Sequence, residues 1–413
     1  MRHGFIWAGL LCALFASTAM AQDDVERGDA VLTRPRPDYD PLGIRLGGFL
    51  LYPQLGVQES YDTNIFATSS NAKGDFITSF DPSLDLRSNW NNHALNFHLD
   101  SHSAQYARFS NESINDYNFA ANGRLDIQRD ARLIGDAGYK VAHEARYSPE
   151  DVGTVHPIEY SDESGKLTGE KEFNRLQLQL VGAYDRYQFE SDRLADGTFV
   201  NEAIRDFDQK QMTMRAGYEL APLRQVYILG GYNWRDYRFT QDAGGFNRNS
   251  TGYTVAVGTR YDLTGILFAD VFIGYRRQDY QDNRLTAASG ATGGGKLTWN
   301  VTRLTTVTGE ITRDVEETSV GTASSYFATR GVINADHELL RNLLLNANVG
   351  YEQDSFQGIT REDDYYLAGL GAKYLLNRNL WLSGGYGYRT RSSNASGNNF
   401  DDHLVFLRLS TQL

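Results

Sequence analysis

The sequence predicts an all-β protein, a transmembrane antiparallel up-and-down β-barrel of about 18 strands. From about residue 48 to the C-terminus, apolar and polar residues alternate with a period of two, which indicates strands. Tight turns alternate along the chain with longer polar loops. The composition combines 25 Tyr, 21 Phe and 40 Gly with only 8 Pro. A polar chain rich in aromatic residues and glycine is typical of an outer-membrane barrel, although composition alone leaves a large secreted β-sandwich or β-propeller open.

The first 21 residues are typical of a secretory signal peptide. Arg2 supplies the positive charge, an apolar run follows from Phe5 to Phe15, and Ala19-Met20-Ala21 forms a cleavage motif. We therefore expect cleavage after Ala21. The single cysteine, Cys12, lies in this segment, so the mature barrel is expected to fold without disulfides. The formal net charge of −12 argues against a nucleic-acid partner.

Residues 22–47 form a second region, with three of the eight prolines. Their composition predicts an extended, weakly structured arm that begins in the periplasm. Such an arm either tucks into the lumen, binds a periplasmic partner or remains a flexible tail, and composition does not choose between these. The barrel itself is predicted to span residues 48–413.

The alternation assigns a face to each strand residue, and the breaks in it give the strand number. In "RQVYILGGYNWRDYRF", Val226, Ile228 and Tyr232 share one face, whereas Gln225 and Asn233 share the other. Eight tight turns and nine longer loops predict 18 strands, with both termini on the periplasmic side. None of the loops is expected to be long enough to fold deep into the barrel as a constriction. The turns are predicted at Asn91-Asn92, Arg129-Asp130, Phe173-Asn174, Pro222-Leu223, Leu263-Thr264, Thr302-Arg303, Arg341-Asn342 and Arg378-Asn379.

The stretch "HALNFHLDSHSAQY" has the i, i+2, i+4 spacing that suggests a metal site. On a strand, however, His98, Asp100 and His102 are spread at steps of about 6.6–7 Å, too far apart to converge easily on one ion. We therefore interpret them as part of a solvated lumen wall, opposite the lipid-facing Leu95 and Leu99. The same alternation predicts further lumen-lining residues: Arg132, Asp136, Lys140, Arg215, Arg260, Arg276, Lys296, Glu310, Lys373 and Arg389.

These candidates carry both signs of charge, and burying so many charges requires water around them. A barrel of about 18 strands is also wide enough for an aqueous channel. A barrel plugged by its own arm and loops is the alternative. The chain contains no G-x-S-x-G, phosphate-loop or C-x-x-C motif, and Ser103 lies on the opposite face from His102. The sequence therefore predicts a protein that is not an enzyme and needs no cofactor.

Two stretches resemble the opening of the β-barrel porin type 2 family of Gram-negative bacteria. They are "RPRPDYDPLGIRLGGFLLYPQLGVQESYDTNIFAT" and "DFITSFDPSLDLRSNWNNHALNFHLDSHSAQYARF". Their notable elements are Tyr61-Asp62-Thr63-Asn64-Ile65-Phe66 and Asp81-Pro82-Ser83-Leu84. Further on, "RYDLTGILFADVFIGYRRQDYQD" has the strand, tight turn and Gly-Tyr strand of the family. The resemblance covers essentially all of the chain after the signal.

The resemblance implies an outer-membrane channel that contacts lipid and lipopolysaccharide and serves as a conduit for exopolysaccharide export. It also implies periplasmic polysaccharide-export machinery as a partner. The residues alone indicate only a wide, polar barrel. Two alternatives stay open: a general diffusion porin for small hydrophilic solutes, and a closed structural or adhesive surface barrel. The sequence does not identify the polymer or solute, the partner proteins or the oligomeric state.

Overall fold

The computed structural model describes residues 30–263 and 265–413. The predicted signal peptide and its cleavage site at Ala21 lie outside the described residues. Most of the described chain forms strands, and two short 3₁₀ helices, Ser110–Glu112 and Glu202–Arg205, lie in the loops. Their bounds are β1 Ile44–Leu46, β2 Phe49–Asp62, β3 Asp75–Ser88, β4 Ala94–Tyr106, β5 Ile114–Gln128, β6 Ala131–His143, β7 Glu159–Phe173, β8 Leu176–Phe189, β9 Asp192–Arg193, β10 Phe199–Val200, β11 Phe207–Ala221, β12 Arg224–Tyr237, β13 Ser250–Leu263, β14 Leu267–Tyr280, β15 Ala288–Thr302, β16 Thr305–Glu317, β17 Ser325–Leu340, β18 Leu343–Gln357, β19 Glu362–Asn377, β20 Leu380–Ser393 and β21 Phe400–Gln412.

Eighteen of these strands, β2–β8 and β11–β21, form a closed antiparallel barrel. Each pairs with the next along the chain, and β21 returns to β2 in a register that sets Val57 opposite Leu409. The predicted fold class and strand number are therefore confirmed. The short strand β1 pairs with the start of β2, and β9 and β10 form a small hairpin within a loop. Among the described residues, no helix is long and apolar enough to span a membrane.

The connections alternate in length as the sequence predicts. Three turns lie later than expected: at Asn174-Arg175 rather than Phe173-Asn174, at Arg303-Leu304 rather than Thr302-Arg303, and after Leu263, the last residue of β13, rather than at Leu263-Thr264. At the first of these, Asn174 adopts a φ of +55°, a left-handed conformation that asparagine tolerates better than phenylalanine. The shift therefore follows from the turn residue rather than from the strand pattern.

The outer surface of the barrel is a broad band of exposed apolar side chains. Ile273, in the middle of β14, is 67% exposed, and Val255 and Leu370 are similarly exposed. Aromatic pairs lie on the outer face toward the loop end of the barrel: Tyr61–Phe76, Tyr253–Tyr275 and Tyr351–Tyr366, with ring centroids 4.8, 6.3 and 5.2 Å apart. An apolar band with interfacial aromatics is the surface that lipid requires.

The described part of the N-terminal arm, residues 30–47, folds against the turn end of the barrel and includes β1. Val31 is fully buried, and its N–H donates to Thr306 Oγ1 at 3.0 Å. The Arg36 guanidinium lies 3.0 Å from the Glu338 carboxylate. The arm is thus not a weakly structured tail in this part, because both contacts attach it to the barrel. Its position in the periplasm stays a prediction.

Candidate functional site

Each of the thirteen predicted lumen residues alternates along its strand with exposed apolar positions, so each has the parity expected of the inner face. In β13, for example, Arg260 has the opposite parity to the exposed Val255 and Val257. The inner face is identified by contacts that reach between distant strands, such as the ion pair of Arg235 on β12 with Glu317 on β16. That these residues line an open passage stays a prediction.

The histidine cluster forms a hydrogen-bonded network on the inner face of β3 and β4. His98 contacts two carboxylates, with Nδ1 2.9 Å from Asp85 Oδ1 and Nε2 2.9 Å from Asp100 Oδ1. His102 Nδ1 lies 2.5 Å from Asp81 Oδ1. Within residues 30–263 and 265–413, no group of His, Cys, Asp and Glu has the arrangement of a metal site. The rings are held by Asp81 and Asp85 on the neighbouring strand β3 and by Asp100 on β4 itself.

On another part of the wall, the Asp270 carboxylate contacts three neighbouring side chains. It lies 3.0 Å from the Arg260 guanidinium, 3.7 Å from that of Arg215 and 2.6 Å from the Tyr227 hydroxyl, and Lys296 is its register partner on β15. The remaining predicted residues also have partners on the inner face. These pairs are Arg132 with Glu170, Asp136 with Lys166, Lys140 with the Tyr160 ring, Arg276 with Asp314, Glu310 opposite Lys296 in register, Lys373 with the Trp381 ring, and Arg389 with Asp402.

The interior also contains a feature that the sequence analysis excluded, an inward-folding loop. Residues 144–158, which connect β6 to β7 and are named here the crossing loop, reach the wall at β16–β17. Six barrel strands separate β7 from β16 in one direction around the barrel, and eight separate β17 from β6 in the other. The expectation that no loop is long enough was wrong, because 15 residues provide about 50 Å of extended chain, or roughly 25 Å out and back.

The tip of the crossing loop is attached to the far wall by one carboxylate. Glu150 Oε1 accepts from Thr318 Oγ1 at 2.5 Å, and Oε2 accepts from the Ser319 N–H at 2.9 Å and from Ser319 Oγ at 2.5 Å. Thr318 and Ser319 belong to the β16–β17 loop. Hydrogen bonds to an ionised group are roughly twice as strong as neutral ones. Glu150 is therefore the main polar attachment of the tip.

Tyr147 attaches the loop to a second part of the wall. Its carbonyl oxygen accepts from Arg391 Nη1 at 3.0 Å, and the Arg389 guanidinium lies 3.9 Å from the centre of its ring. The ring also packs against Leu367 on the inner face. The loop consequently narrows the barrel on two sides at the loop end.

The base of the crossing loop is fixed by two arginines. Arg146 forms a two-pronged pair with Glu112, at 2.8 Å for each bond, and contacts Asp151 at 3.0 Å. Arg205, from the β8–β11 connection, pairs with both oxygens of Glu144. Burial raises the pKa of Glu144 and of Asp151, and the neighbouring arginines only partly offset that rise.

The inner wall beside the crossing loop carries a cluster of aromatic rings. Tyr187, Phe207 and Tyr237 stack in a row, with ring centroids 5.0 and 5.2 Å apart, and Tyr160 stacks on Phe189 at 5.8 Å. Four of these five rings are buried, and Tyr237 packs against them. At this end the inner wall thus carries buried aromatic rings beside the charged groups, and a hydrated interior stays a prediction.

A cavity of about 70 Å³ lies between the crossing loop and the wall formed by β16–β20. Three tyrosine rings, Tyr147, Tyr326 and Tyr365, contribute to its lining. Carboxylates outnumber guanidinium groups around it, with Glu144, Glu150, Glu316, Glu317, Glu352 and Asp354 against Arg205, Arg330 and Arg389.

Sequence reasoning overlooked most of this charged lining. The alternation in "NLLLNANVGYEQD" places Glu352 and Asp354 on the polar face, so a signal was present for these two acids. Arg330 also has inward parity on β17. What the pattern lacks is any indication that a loop would cover these residues.

The family comparison agrees with the barrel. The model of the family described as "Putative beta-barrel porin 2" matches residues 36–413. The chain belongs to this family. The resemblance noted in the sequence is thereby confirmed, and the protein is an outer-membrane β-barrel of porin type. No curated protein sequence matches the chain.

Among solved structures, the porin-family chain is similar to OccK2 (OpdF) of Pseudomonas aeruginosa, with 12% identity and a TM-score of 0.48 over 89% of this chain and 100% of that one. It is also similar to a ferric enterobactin receptor (PfeA) mutant of Pseudomonas aeruginosa, with 7% identity and a TM-score of 0.48 over 88% of this chain and 80% of that one. A third similar structure is the siderophore receptor PirA of Acinetobacter baumannii, with 7% identity and a TM-score of 0.48 over 88% of this chain and 80% of that one.

Proposed function

We propose that this porin-family barrel is a channel for hydrophilic solutes and that the crossing loop forms its narrowest part. The observation that carries the proposal is the attachment of Glu150 to Thr318 and Ser319, because it fixes a chain segment across the interior of the barrel. A segment in this position limits the size of what passes. The charged inner wall supplies partners that can replace the hydration of a polar solute.

The turn end of the barrel has its own narrowing element. The arm is attached through Val31 and Arg36 to the inner face and rim. Solutes moving between the two sides of the membrane would pass the arm as well as the crossing loop. Both elements support a channel that selects by size over a freely open pore. The family and fold are those of transport barrels, and no catalytic role is proposed.

Export of an exopolysaccharide is the second candidate. It is favoured because Glu150 attaches the tip of the crossing loop, and Arg36 attaches residues 30–43 of the arm, through side-chain contacts. The backbone bridge of the crossing loop, between Thr154 and Leu194, joins it to the β8–β11 connection and not to a barrel strand. Displacing both would leave the 18-strand wall intact and wide enough for a hydrated polymer. Under this candidate a partner at the turn end, of the kind that polysaccharide export requires, would release the arm.

Solute uptake into proteoliposomes separates the two candidates. The native chain is compared with a variant in which residues 146–156 are replaced by a short Gly-Ser linker, using sugars of increasing size and a fluorescent dextran. A small-solute channel passes monosaccharides in the native form, and the variant accepts larger sugars. Polymer export would be favoured if vesicles with the native chain exclude every sugar and if dextran enters only when the loop and the arm are both removed. Exclusion by every form would overturn the channel proposal.

A further inference from the structure

Arginine recurs at the turn end of the barrel. Six of the eight tight turns between barrel strands carry one, either within the turn or as the residue that directly follows it. The turns concerned join β5–β6, β7–β8, β11–β12, β15–β16, β17–β18 and β19–β20, so the cations are distributed around most of the circumference. Five of the six side chains are exposed, and the last is half-buried. The six residues, named here the arginine ring, are Arg129, Arg175, Arg224, Arg303, Arg341 and Arg378.

The charges of the arginine ring have no counterion in the part of the chain that the structure describes. Within residues 30–263 and 265–413, none of the six guanidinium groups forms an ion pair with a carboxylate. Asp130, the neighbour of Arg129, is paired instead with Lys171 at 2.7 Å. Arg378 Nη2 donates to the carbonyl oxygen of Pro37 at 2.7 Å, which leaves its charge uncompensated. Because arginine stays protonated in proteins, this end of the barrel presents permanent cations.

The outer face beside the arginine ring also lacks acids. Among the described strand residues within four positions of a turn, no Asp or Glu has outward parity. Aromatic residues stand on this face instead, such as Trp299 and Tyr374, which are 45% and 43% exposed. The loop end differs, because its outer face carries the exposed acids Glu59, Asp236 and Asp401. Cations combined with aromatic residues are typical of contact with membrane headgroups.

The arginine ring matches the phosphate of an anionic phospholipid. A planar guanidinium binds phosphate oxygens through two parallel hydrogen bonds. The Arg224 guanidinium lies 4.9 Å from the centre of the outward-facing Tyr261 ring, so it is already at the outer surface. Lipid headgroups adjoin the barrel all around its circumference, as the ring does, whereas a protein partner would cover one sector. A zwitterionic headgroup also brings an ammonium group, which finds no strand carboxylate on this part of the outer face.

We propose that the arginine ring binds the headgroups of anionic phospholipids in the leaflet at the turn end, which in an outer-membrane barrel is the periplasmic leaflet. Binding fixes the depth of the barrel in the membrane and selects the lipids that surround its base. The inference does not depend on what passes through the lumen, so it stands or falls separately from the channel function.

Electron spin resonance of spin-labelled lipids measures how strongly each lipid associates with the perimeter of the reconstituted full chain. One arginine near an anionic lipid surface strengthens association about fivefold. Averaged over the whole perimeter, we expect phosphatidylglycerol to associate about two- to threefold more strongly than phosphatidylcholine at low salt, and phosphatidylethanolamine to resemble phosphatidylcholine. The preference should shrink at high salt, because salt screens exposed charges.

A variant that combines Arg175→Gln, Arg303→Gln and Arg341→Gln removes three exposed charges of the arginine ring. It should lose most of the preference for phosphatidylglycerol. Lysine at the same three positions keeps the charge and should retain most of the preference, which separates the loss of charge from any disturbance of the turns.

The matched control combines Arg186→Gln, Lys210→Gln and Arg277→Gln. These three exposed cations lie on the outer face at the loop end, and each is paired with a carboxylate. The control should keep the preference of the native chain. The proposal is overturned if the native chain shows no preference for phosphatidylglycerol, if the glutamine variant of the ring keeps it, or if the lysine variant or the control loses it to the same extent.

Discussion

Replacing Glu150 with alanine tests the crossing loop at its point of attachment. The substitution removes one hydrogen bond from Thr318 and two from Ser319, all to an ionised carboxylate. Each such bond contributes about 1.5–3 kcal/mol, but the released groups are rehydrated and the three contributions are not additive. We therefore expect a loss of roughly 2–4 kcal/mol in docking, which lowers the ratio of docked to undocked loop by about 30- to 1000-fold.

Single-channel recording in a planar bilayer measures this change. Glu150→Ala should spend more time at a larger conductance than the native chain, and Glu150→Gln, which keeps an acceptor oxygen without the charge, should lie between the two. Glu190→Ala is the control, since Glu190 is an exposed acid elsewhere at the loop end. Identical conductance and identical gating in the native chain and Glu150→Ala, with the fold intact, would refute the idea that this attachment holds the constriction.

Four further predictions concern stability, lipid contact, pH and the arm. Arg330→Leu removes the cation from the buried ion pairs with Glu316 and Glu352, so we expect the free energy of unfolding in urea to fall by about 3–5 kcal/mol. Arg260→Leu, whose side chain is largely exposed, should lower it by less than about 1 kcal/mol. Equal effects of the two substitutions would contradict the buried network. Ile273→Arg places a charge in the middle of the lipid-facing band and should lower the free energy of unfolding by about 2–4 kcal/mol. Thr254→Arg, on the inner face of the neighbouring strand β13, should be tolerated. The reverse order of the two effects would show that the faces are misassigned. Burial in the docked crossing loop raises the pKa of Glu144 and Asp151, so the docked loop binds protons more tightly than the undocked loop. Acidification from pH 7 toward pH 4 should therefore favour the docked, narrower state and lower the conductance. A rise in conductance on acidification would refute this sign. Arg36→Ala removes the contact with Glu338 and should make the arm cleavable by chymotrypsin at Tyr39 faster than in the native chain, an effect that Arg45→Ala, at an exposed position in β1, should not reproduce.

The strand architecture was predictable because it depends on a local pattern. Alternation with a period of two assigns each residue a face independently of the rest of the chain, and eight turns with nine loops fix the strand number. The errors at Asn174 and Arg303 are single-residue shifts, since the pattern does not record which residue tolerates the backbone of the turn. The inward direction of His98 and Arg389 followed from the same parity.

The crossing loop was not predictable from the same information. Glu150 and Thr318 are 168 residues apart, and neither lies in a periodic segment that would reveal the contact. The buried network around Arg330 was missed for a related reason. Parity shows that a side chain points inward, but only the position of the loop determines whether water or protein surrounds it.

The most direct test of the channel is the conductance of three forms in planar bilayers: the native chain, a variant with residues 146–156 replaced by a short Gly-Ser linker, and the same variant that also lacks residues 30–43. We predict a small native conductance that increases when the loop is replaced and increases again when the arm is removed. Equal conductance in all three forms would show that neither segment narrows the passage. Silence in all three, with the barrel folded, would contradict a channel through this interior.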